Sequence, residues 1–293
     1  CAPVYRRPSC TGVRVRAIGR APRGPTQPTR FHVPPSVIAG PRPVEERSWS
    51  LAMAPSELNS LDQARVGLWL EDPLCPIDQE LTESYQNLGN ALSERGALVT
   101  EARHPLLSLE HILPAYFNLL GALLSTSLKP AQRRQMKWIA RLEPWLKFLG
   151  PMTPFIGEYG RGVNQPVYQW MAWSEVREKM RAEIESLFQE VDVLLTPVTP
   201  TTAIRHDHSH PVFKRRITVA GQPRAYMDQF CWIAFATLLG LPATSVPIGR
   251  TKEGLPFNVQ VIGAPGMDLT TIGFAGLMEE AGLAGFERPT PLG

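Results

Sequence analysis

Three histidines alternate with other residues in the stretch His206-Asp207-His208-Ser209-His210. In an extended backbone, side chains two residues apart point to the same side, so this spacing could begin a transition-metal site. No carboxylate or cysteine partner stands at ligand spacing elsewhere in the sequence, and a His-rich surface loop or a hydrogen-bonded pocket wall needs no metal. We therefore predict no metal and no other cofactor, and keep a metal-dependent hydrolase that uses residues 206–210 as a minor alternative.

Side chains that could attack a carbonyl carbon are few in this sequence. It contains no Gly-x-Ser-x-Gly motif, the strand-to-helix turn that exposes a nucleophilic serine in one class of hydrolases. Cys231 lies in an apolar stretch over 230–233, and Cys75 stands between a leucine and a proline, so both are expected to be structural, inert thiols. Ser245 lies in a predicted strand and is interpreted as an ordinary sheet residue. The residues alone therefore identify no catalytic triad.

Polar and aromatic residues open a predicted helix over 228–240, shortly after the turn at 220–223. Tyr226, Asp228 and Gln229 come first, and Trp232 follows one helical turn later. An aspartate at this place can act as the helix N-cap, which would explain Asp228 completely. The functional alternative is that the four side chains form a wall that faces a substrate.

The elements that would position these residues begin near residue 63, where strands and helices start to alternate. The apolar run 65–70 predicts a buried strand, and leucine or tyrosine at positions 81, 85, 88 and 92 predicts a helix that Gly96 ends. Ala97-Leu98-Val99 begins another strand. This order of strand, helix and strand predicts a parallel pair joined by a right-handed crossover.

The middle of the chain repeats this order. Residues 109–150 have helical character with interruptions at three prolines, Pro114, Pro130 and Pro144. A helix with Ser174 as its N-cap is predicted next. Its apolar stripe consists of Val176, Met180, Ile184, Leu187 and Phe188. The helix leads into a core strand at 191–195, whose carboxyl end opens into a proline-rich loop at 196–200, and ligands bind at that edge in open α/β sheets.

The C-terminal region completes the predicted sheet. The helix over 228–240 ends at a Gly-then-Pro stop. Two antiparallel strands are predicted at 244–249 and 257–263, around a loop that contains Gly254, and a final helix is predicted from Asp268 to Glu280. Together these elements predict an α/β fold with a mixed, largely parallel sheet flanked by helices.

The N-terminal residues differ from the rest in composition. Residues 1–60 contain nine Arg, no Lys, three Glu and ten of the 29 Pro, a local charge of +6 in a chain whose net charge is +3. No period of 2 or 3.6 residues organises them, which predicts neither helix nor central strand. We expect residues 1–62 to be a poorly ordered or aberrant segment, with out-of-frame translation as one source. An arm for nucleic acid or acidic lipid is the alternative. Residues 63–293 form the predicted domain.

Composition also limits the partners and the compartment. Only 19% of the residues are charged, and phosphate binding needs clustered Lys and Arg, so no nucleic-acid partner is predicted. The longest uncharged stretch, 112–128, contains a proline and is shorter than the about 20 apolar residues of a bilayer span. No signal peptide is recognisable, so no membrane partner is predicted. Four scattered cysteines argue against a disulfide framework and favour a reducing, cytoplasmic location.

Three stretches resemble the C-terminal half of the amidase signature family in order and spacing: Asp192–Thr201, Leu239–Gly249 and Gly254–Gly263. The region Arg65–Thr100 is similar to the βαβ segment that follows this family's signature region, so the resemblance extends over residues 63–293. The segments 206–209 and 227–229 resemble a bacterial, stand-alone branch of the family rather than the subunit that supplies ammonia for glutaminyl-tRNA formation.

The resemblance implies hydrolysis of the C–N bond of a linear carboxamide. In this family a Lys acts through a Ser held by a cis peptide bond to deprotonate a nucleophilic Ser, and backbone N–H groups of a Gly/Ser-rich loop hold the oxyanion. These parts belong upstream of Cys1, and the chain contains no such loop. No catalytic residue is therefore assigned, and the isolated chain, a C-terminal portion of the family's domain, is expected to be inactive. The alternative is a non-catalytic remnant or binding module with an amidase-like fold.

The same resemblance implies a small-molecule amide as substrate and a possible homo-oligomer. The chain would supply one wall of the substrate pocket. Six residues are the substrate-binding candidates: His206, His208, Tyr226, Asp228, Gln229 and Trp232. A sheet without its upstream neighbours would expose an apolar face and an unpaired edge, so we also expect the isolated chain to be unstable or to self-associate.

Overall fold

The computed structural model describes residues 41, 44–146, 152–208 and 212–286. The chain divides into two units, Cys1–Ala52 and Met53–Gly293. In the described part of the first unit, a turn forms in which the backbone N–H of Ser48 donates to the Glu45 carbonyl at 2.7 Å. The expectation of a poorly ordered or aberrant segment falls mostly on residues 1–40, 42 and 43, which lie outside the described residues.

Seven strands and eight α-helices occur within these ranges. The strands are β1 (Arg65–Leu68), β2 (Leu98–Glu101), β3 (Val193–Pro197), β4 (Arg216–Val219), β5 (Gln222–Ala225), β6 (Ala243–Arg250) and β7 (Pro256–Gly263). The helices are α1 (Gln79–Glu94), α2 (Leu109–Leu124), α3 (Pro130–Leu146), α4 (Ile156–Val163), α5 (Val167–Glu183), α6 (Leu187–Glu190), α7 (Ala234–Leu239) and α8 (Asp268–Glu280). None of the helices in the described part of the chain has both the length and the apolar character that a bilayer crossing requires.

Five of the strands form the main sheet, in the order β2-β1-β3-β7-β6. β1 pairs in parallel with β2 and β3, whereas β7 runs antiparallel to both β3 and β6. Four of the five strands therefore point in the same direction, and the predicted mixed, largely parallel sheet is confirmed. β3 lies at the centre, and all five of its residues are buried, as expected for a strand that is covered on both faces.

The β1–α1–β2 unit is the parallel crossover that the sequence predicts. Its helix buries the four positions of the predicted apolar stripe: Leu81, Tyr85, Leu88 and Leu92. The turn after the helix places Gly96 at φ +91°, a left-handed conformation that glycine adopts without a steric penalty. The Tyr85 hydroxyl donates to the Asn258 carbonyl at 2.9 Å, which attaches α1 to β7.

Helices α2, α3 and α4 approach one another through glycines. A Cβ atom on Gly162 of α4 would overlap the Asn118 carbonyl of α2, and a Cβ on Gly160 would lie 2.6 Å from the Met136 carbonyl oxygen of α3. Pro114 lies inside α2 rather than interrupting it, because most of this helix is buried and its packing offsets the missing N–H. Pro130 instead begins α3, a position that proline tolerates well.

The predicted start of the next helix is wrong. α5 begins at Val167, and Ser174 lies inside it. The Ser174 hydroxyl donates to the Trp170 carbonyl at 2.9 Å, so this serine satisfies the preceding turn instead of capping a helix end. The apolar stripe faces the core as predicted, since Ile184 and Leu187 are buried.

The predicted helix over 228–240 is divided in the structure. Its first part is a 3-10 helix, Tyr226–Phe230, and its second part is α7. Between them the carbonyls of Asp228 and Cys231 accept hydrogen bonds from N–H groups three residues later, at 3.1 and 3.2 Å, which is the 3-10 pattern rather than the α-helical one. The predicted stop is confirmed, because Gly240 adopts φ +65° directly after α7.

The C-terminal elements agree with the prediction. The two predicted strands are β6 and β7, which pair antiparallel, and α8 has the predicted bounds. The sequence analysis missed the hairpin of β4 and β5, whose two-residue turn places Ala220 at φ 49° and Gly221 at φ 73°. Positive φ at both central positions matches the twist of a hairpin.

Candidate functional site

The carboxyl ends of β1 and β3 meet at one edge of the sheet, because these strands pair in parallel. Two loops leave this edge, 69–78 after β1 and 198–208 after β3. The backbone N–H of Asp78 donates to the Pro200 carbonyl at 2.9 Å and so joins the two loops. Ligands bind outside the carboxyl ends of the strands in open α/β sheets, so we take this carboxyl edge as the candidate site.

Asp72 shapes the first of these loops. Its side chain is buried, Oδ1 accepts the backbone N–H of Leu74 at 2.9 Å, and Oδ2 accepts that of Leu109 at 2.9 Å. Leu109 is the first residue of α2, so this carboxylate satisfies a helix N-terminus from a distant part of the chain. Asp72 thereby attaches the start of α2 to the carboxyl edge.

Residues 226–232, which we call the wall segment, lie against the same loop. The indole Nε1–H of Trp232 donates to the Cys75 carbonyl at 3.1 Å. Just before the wall segment, Arg224 Nη2 donates to the Leu74 carbonyl at 2.6 Å. Both contacts join groups that are about 150 positions apart in the chain. The structure therefore places the wall segment at the carboxyl edge.

Asp228 is the buried charge of the wall segment. It is 1% exposed, and its Oδ2 accepts from Arg224 Nε at 2.7 Å. Burial raises the pKa of Asp228 above its usual value, while Thr153 and Arg224 act in the opposite direction. Within the described residues, Asp228 Oδ1 and Thr153 Oγ1 are both buried without a hydrogen bond of good geometry. The ion pair therefore leaves one carboxylate oxygen and one hydroxyl with unused bonding capacity.

The remaining wall residues differ in exposure. Trp232 is fully buried, and its ring makes an edge contact with Trp69 at a centroid distance of 5.3 Å. Tyr226 and Gln229 are only half-buried. The Arg215 guanidinium lies 5.6 Å from the centre of the Tyr226 ring, and Gln229 Nε2 donates to the Tyr226 carbonyl at 3.0 Å. The two half-buried side chains are thus the members of the wall segment that can meet a ligand.

His206 and His208 lie in the loop after β3, and both are exposed. Their rings contact each other edge-on with centroids 6.0 Å apart. His210 lies outside the described residues. Among the residues that are described, no group of three or more His, Cys, Asp or Glu side chains could hold a metal ion. A metal site that uses all three histidines therefore remains a prediction.

The two cysteines of this region are buried together. Cys75 and Cys231 are both fully buried, and Cys75 Sγ lies 3.6 Å from the Asp228 carbonyl, which also accepts the Cys231 N–H. Interaction with Cys75 and burial raise the pKa of the Cys231 thiol well above its ordinary value. A thiol that stays protonated is a poor nucleophile. The prediction that both cysteines are buried is confirmed.

Three residues of this site have no place in the sequence prediction: Asp72, Thr153 and Arg224. Arg224 stands four positions before Asp228, a spacing that signals an ion pair on a helix. Here it joins the end of β5 to a 3-10 helix, so helical periodicity could not reveal it. Thr153 precedes α4 and reaches Asp228 only through tertiary structure.

A family model described as Amidase matches residues 36–272. The match includes residues 36–62, which the sequence analysis separates from the folded domain. The fatty acid amide hydrolase of Oryza sativa subsp. indica is 26% identical over 269 residues, which cover 87% of this chain and 40% of that protein. A glutamyl-tRNA(Gln) amidotransferase subunit of Brevibacillus brevis is 34% identical over 117 residues, 40% of this chain and 21% of that protein.

Two solved structures show the same fold. A bacterial aryl acylamidase of the amidase signature family superposes with a TM-score of 0.52 at 20% identity, over 74% of this chain and 43% of that one. A glutamyl-tRNA(Gln) amidotransferase subunit of Thermotoga maritima gives a TM-score of 0.53 at 20% identity, over 82% of this chain and 48% of that one. The chain thus spans less than half the length of these relatives.

Proposed function

Because the chain belongs to the Amidase family, we propose that it serves the hydrolysis of the C–N bond of small-molecule carboxamides. The observation that carries this proposal is the family match over residues 36–272. The matched region contains the carboxyl edge, where two loops and the wall segment come together. Hydrolases of fatty acid amides in plants are among the similar proteins, which supports linear amides as the substrate class.

The wall segment would form one side of the amide pocket. Tyr226 and Gln229 would contact the substrate, since they are the half-buried side chains. Asp228 and Trp232 would act from beneath, because both are buried and hold the segment against the loop after β1. His206 and His208 would border the open side of the pocket.

Amide hydrolysis also needs a nucleophile, a base and donors for the oxyanion. We assign none of these to residues of this chain, and we propose that the polypeptide alone does not turn amides over. A second candidate is a binding module that keeps the fold and holds an amide without cleaving it. The half-buried pair in the wall segment favours this candidate, because it supplies contacts without an activated nucleophile.

Ammonia release tests the catalytic part of the proposal. The purified chain would be incubated with a panel of aliphatic and aryl amides, with and without a serine-directed reagent, and with and without a chelator. We expect no ammonia above background. Ammonia release that the serine reagent blocks would show that the nucleophile lies in this chain, and release that the chelator abolishes would favour the metal alternative.

Amide binding tests the pocket. Isothermal calorimetry with an aryl and a long-chain aliphatic amide should give a dissociation constant that Tyr226→Ala and Gln229→Ala each raise by about tenfold, the loss of about 1.4 kcal/mol. Tyr168→Ala is the matched control, because Tyr168 is 69% exposed on α5 and should leave binding unchanged. Equal affinities in all three variants would remove the wall segment from the pocket.

The remaining partner assignments are also proposals. A cytoplasmic location is supported by the four scattered cysteines, and the absence of a nucleic-acid partner by the low fraction of charged residues, 19%. A homo-oligomer is supported by the edge strand β6, which pairs on one side only with β7 in the described part of the sheet.

A further inference from the structure

The outer face of α3 carries the longest exposed aromatic stripe in the described part of the chain. Trp138, Leu142 and Trp145 are 62%, 45% and 72% exposed. Their spacing of four and three residues places them along one side of the helix. Large apolar side chains exposed singly are common, whereas an ordered stripe of them marks an interaction surface.

The inner face of α3 is fixed, so the outer face has a defined orientation. Ala140 and Glu143 are buried, and Gly160 of α4 fits closely against Met136 and Ala140. Glu143 is ion-paired with Arg161 of α4 at 3.4 Å. The helix therefore cannot rotate to bury its tryptophans without losing these contacts.

The charges next to the stripe are all positive. Arg133, Arg134, Lys137 and Arg141 of α3 are exposed. The one acidic residue of the helix, Glu143, is buried on the opposite face. We call the three apolar side chains and these four cations the α3 outer face. Its charge pattern fits an anionic partner, and its apolar stripe fits one with an apolar layer beneath the charge.

We propose that the α3 outer face docks on an anionic lipid surface. Tryptophan rings lie at the level of lipid headgroups, with the apolar ring toward the acyl chains and the N–H toward water. Arginine and lysine extend along an apolar surface and keep their charged ends among lipid phosphates. The 17-residue helix would lie in the plane of the surface. The sequence argument against a membrane partner concerned spanning segments and signal peptides, and a surface helix needs neither.

This occupant accounts for the surface better than nucleic acid does. A phosphate backbone would use the four cations, but the Leu142 side chain between two indoles would meet only polar groups on such a partner. A lipid interface uses both the cations and the continuous apolar stripe. The proposal does not depend on the proposed enzymatic function.

Vesicle binding of the full chain tests the proposal. Co-sedimentation would be measured with vesicles of phosphatidylcholine alone and of phosphatidylcholine with phosphatidylglycerol at three to one. We expect the partition coefficient to be at least about tenfold higher on the anionic vesicles and to fall at high salt. Brominated acyl chains should quench tryptophan fluorescence on binding.

Substitutions locate the contact. The double variant Trp138→Ser/Trp145→Ser should lower partition by about tenfold, and Lys137→Gln/Arg141→Gln should remove most of the preference for anionic vesicles. Trp170→Ser is the matched control, because Trp170 is an exposed tryptophan of α5 beside Glu175 and Glu178. Circular dichroism verifies that each variant is folded, which is expected because the altered side chains are exposed.

Three results would overturn the proposal. The first is no binding of the folded chain to anionic vesicles. The second is vesicle binding that the Trp170 control lowers as much as the α3 double variant does. The third is a chain that ignores vesicles but self-associates, or binds single-stranded DNA, through the α3 outer face, because a second copy or a nucleic acid would then be its partner.

Discussion

Replacing Arg224 with leucine removes the cation that faces the buried carboxylate of the wall segment. Asp228 is 1% exposed, and the Arg224 side chain is 24% exposed, so the pair lies largely away from solvent. Breaking a buried ion pair on one side costs about 3 to 5 kcal/mol, and we take the lower end because Arg224 retains some solvent contact. The hydrogen bond to the Leu74 carbonyl contributes about 1 kcal/mol more.

The loss should depend on pH. Burial raises the Asp228 pKa in the folded chain above its unfolded value, so this group favours folding when protonated, and its contribution falls as pH rises from the unfolded through the folded pKa. Arg224 lowers that pKa, and without it the folded pKa rises further. Arg224→Leu should therefore destabilise the fold by about 4 kcal/mol at pH 7.5 and by clearly less at pH 5.

Urea unfolding at the two pH values measures this effect. Arg177→Leu is the control, because Arg177 and Glu178 form an ion pair whose side chains are 36% and 54% exposed, and its loss should change stability by less than about 1 kcal/mol. Adding Asp228→Asn to Arg224→Leu should recover stability at pH 7.5. Equal losses at both pH values, or no recovery in the double variant, would refute the reasoning.

Three further predictions concern packing and exposed edges. Gly162→Ala should cost more than about 2 kcal/mol, because its Cβ would overlap the Asn118 carbonyl, whereas Gly276→Ala, with open space around its Cβ, should be neutral or stabilising in the same urea assay. Cys75 and Cys231 should resist iodoacetamide until the chain unfolds, as peptide mass spectrometry would show; fast native labelling would contradict their burial. The isolated chain should self-associate in analytical ultracentrifugation, and a monodisperse monomer would contradict this expectation.

Local patterns predict the sheet and its order well. The apolar stripe of α1, the stop at Gly240 and the antiparallel strands β6 and β7 depend on periodicity and on glycine or proline signals within a few residues. The start of α5 is wrong, because Ser174 bonds to its own helix and no local signal separates this from capping. The β4–β5 turn carries no Asn-Gly or Asp-Gly signal and was missed.

The candidate site was only half predictable. The sequence places Tyr226, Asp228, Gln229 and Trp232 in one segment, and the structure puts that segment at the carboxyl edge. Which of the four face inward depends on contacts with residues more than 70 positions away, such as Thr153 and Cys75. No pattern within a window of a few residues carries that information. The substrate-binding assignment itself stays a prediction.

The wall segment divides two tasks among neighbouring residues. Asp228 and Trp232 are committed to the interior, whereas Tyr226 and Gln229, two and three positions away from them, keep part of their surface in solvent. Natural variation can therefore change the two outward residues with little effect on folding, while a change at either inward residue alters the shape of the whole edge. Selection can in this way diversify what the protein recognises while its scaffold stays constant.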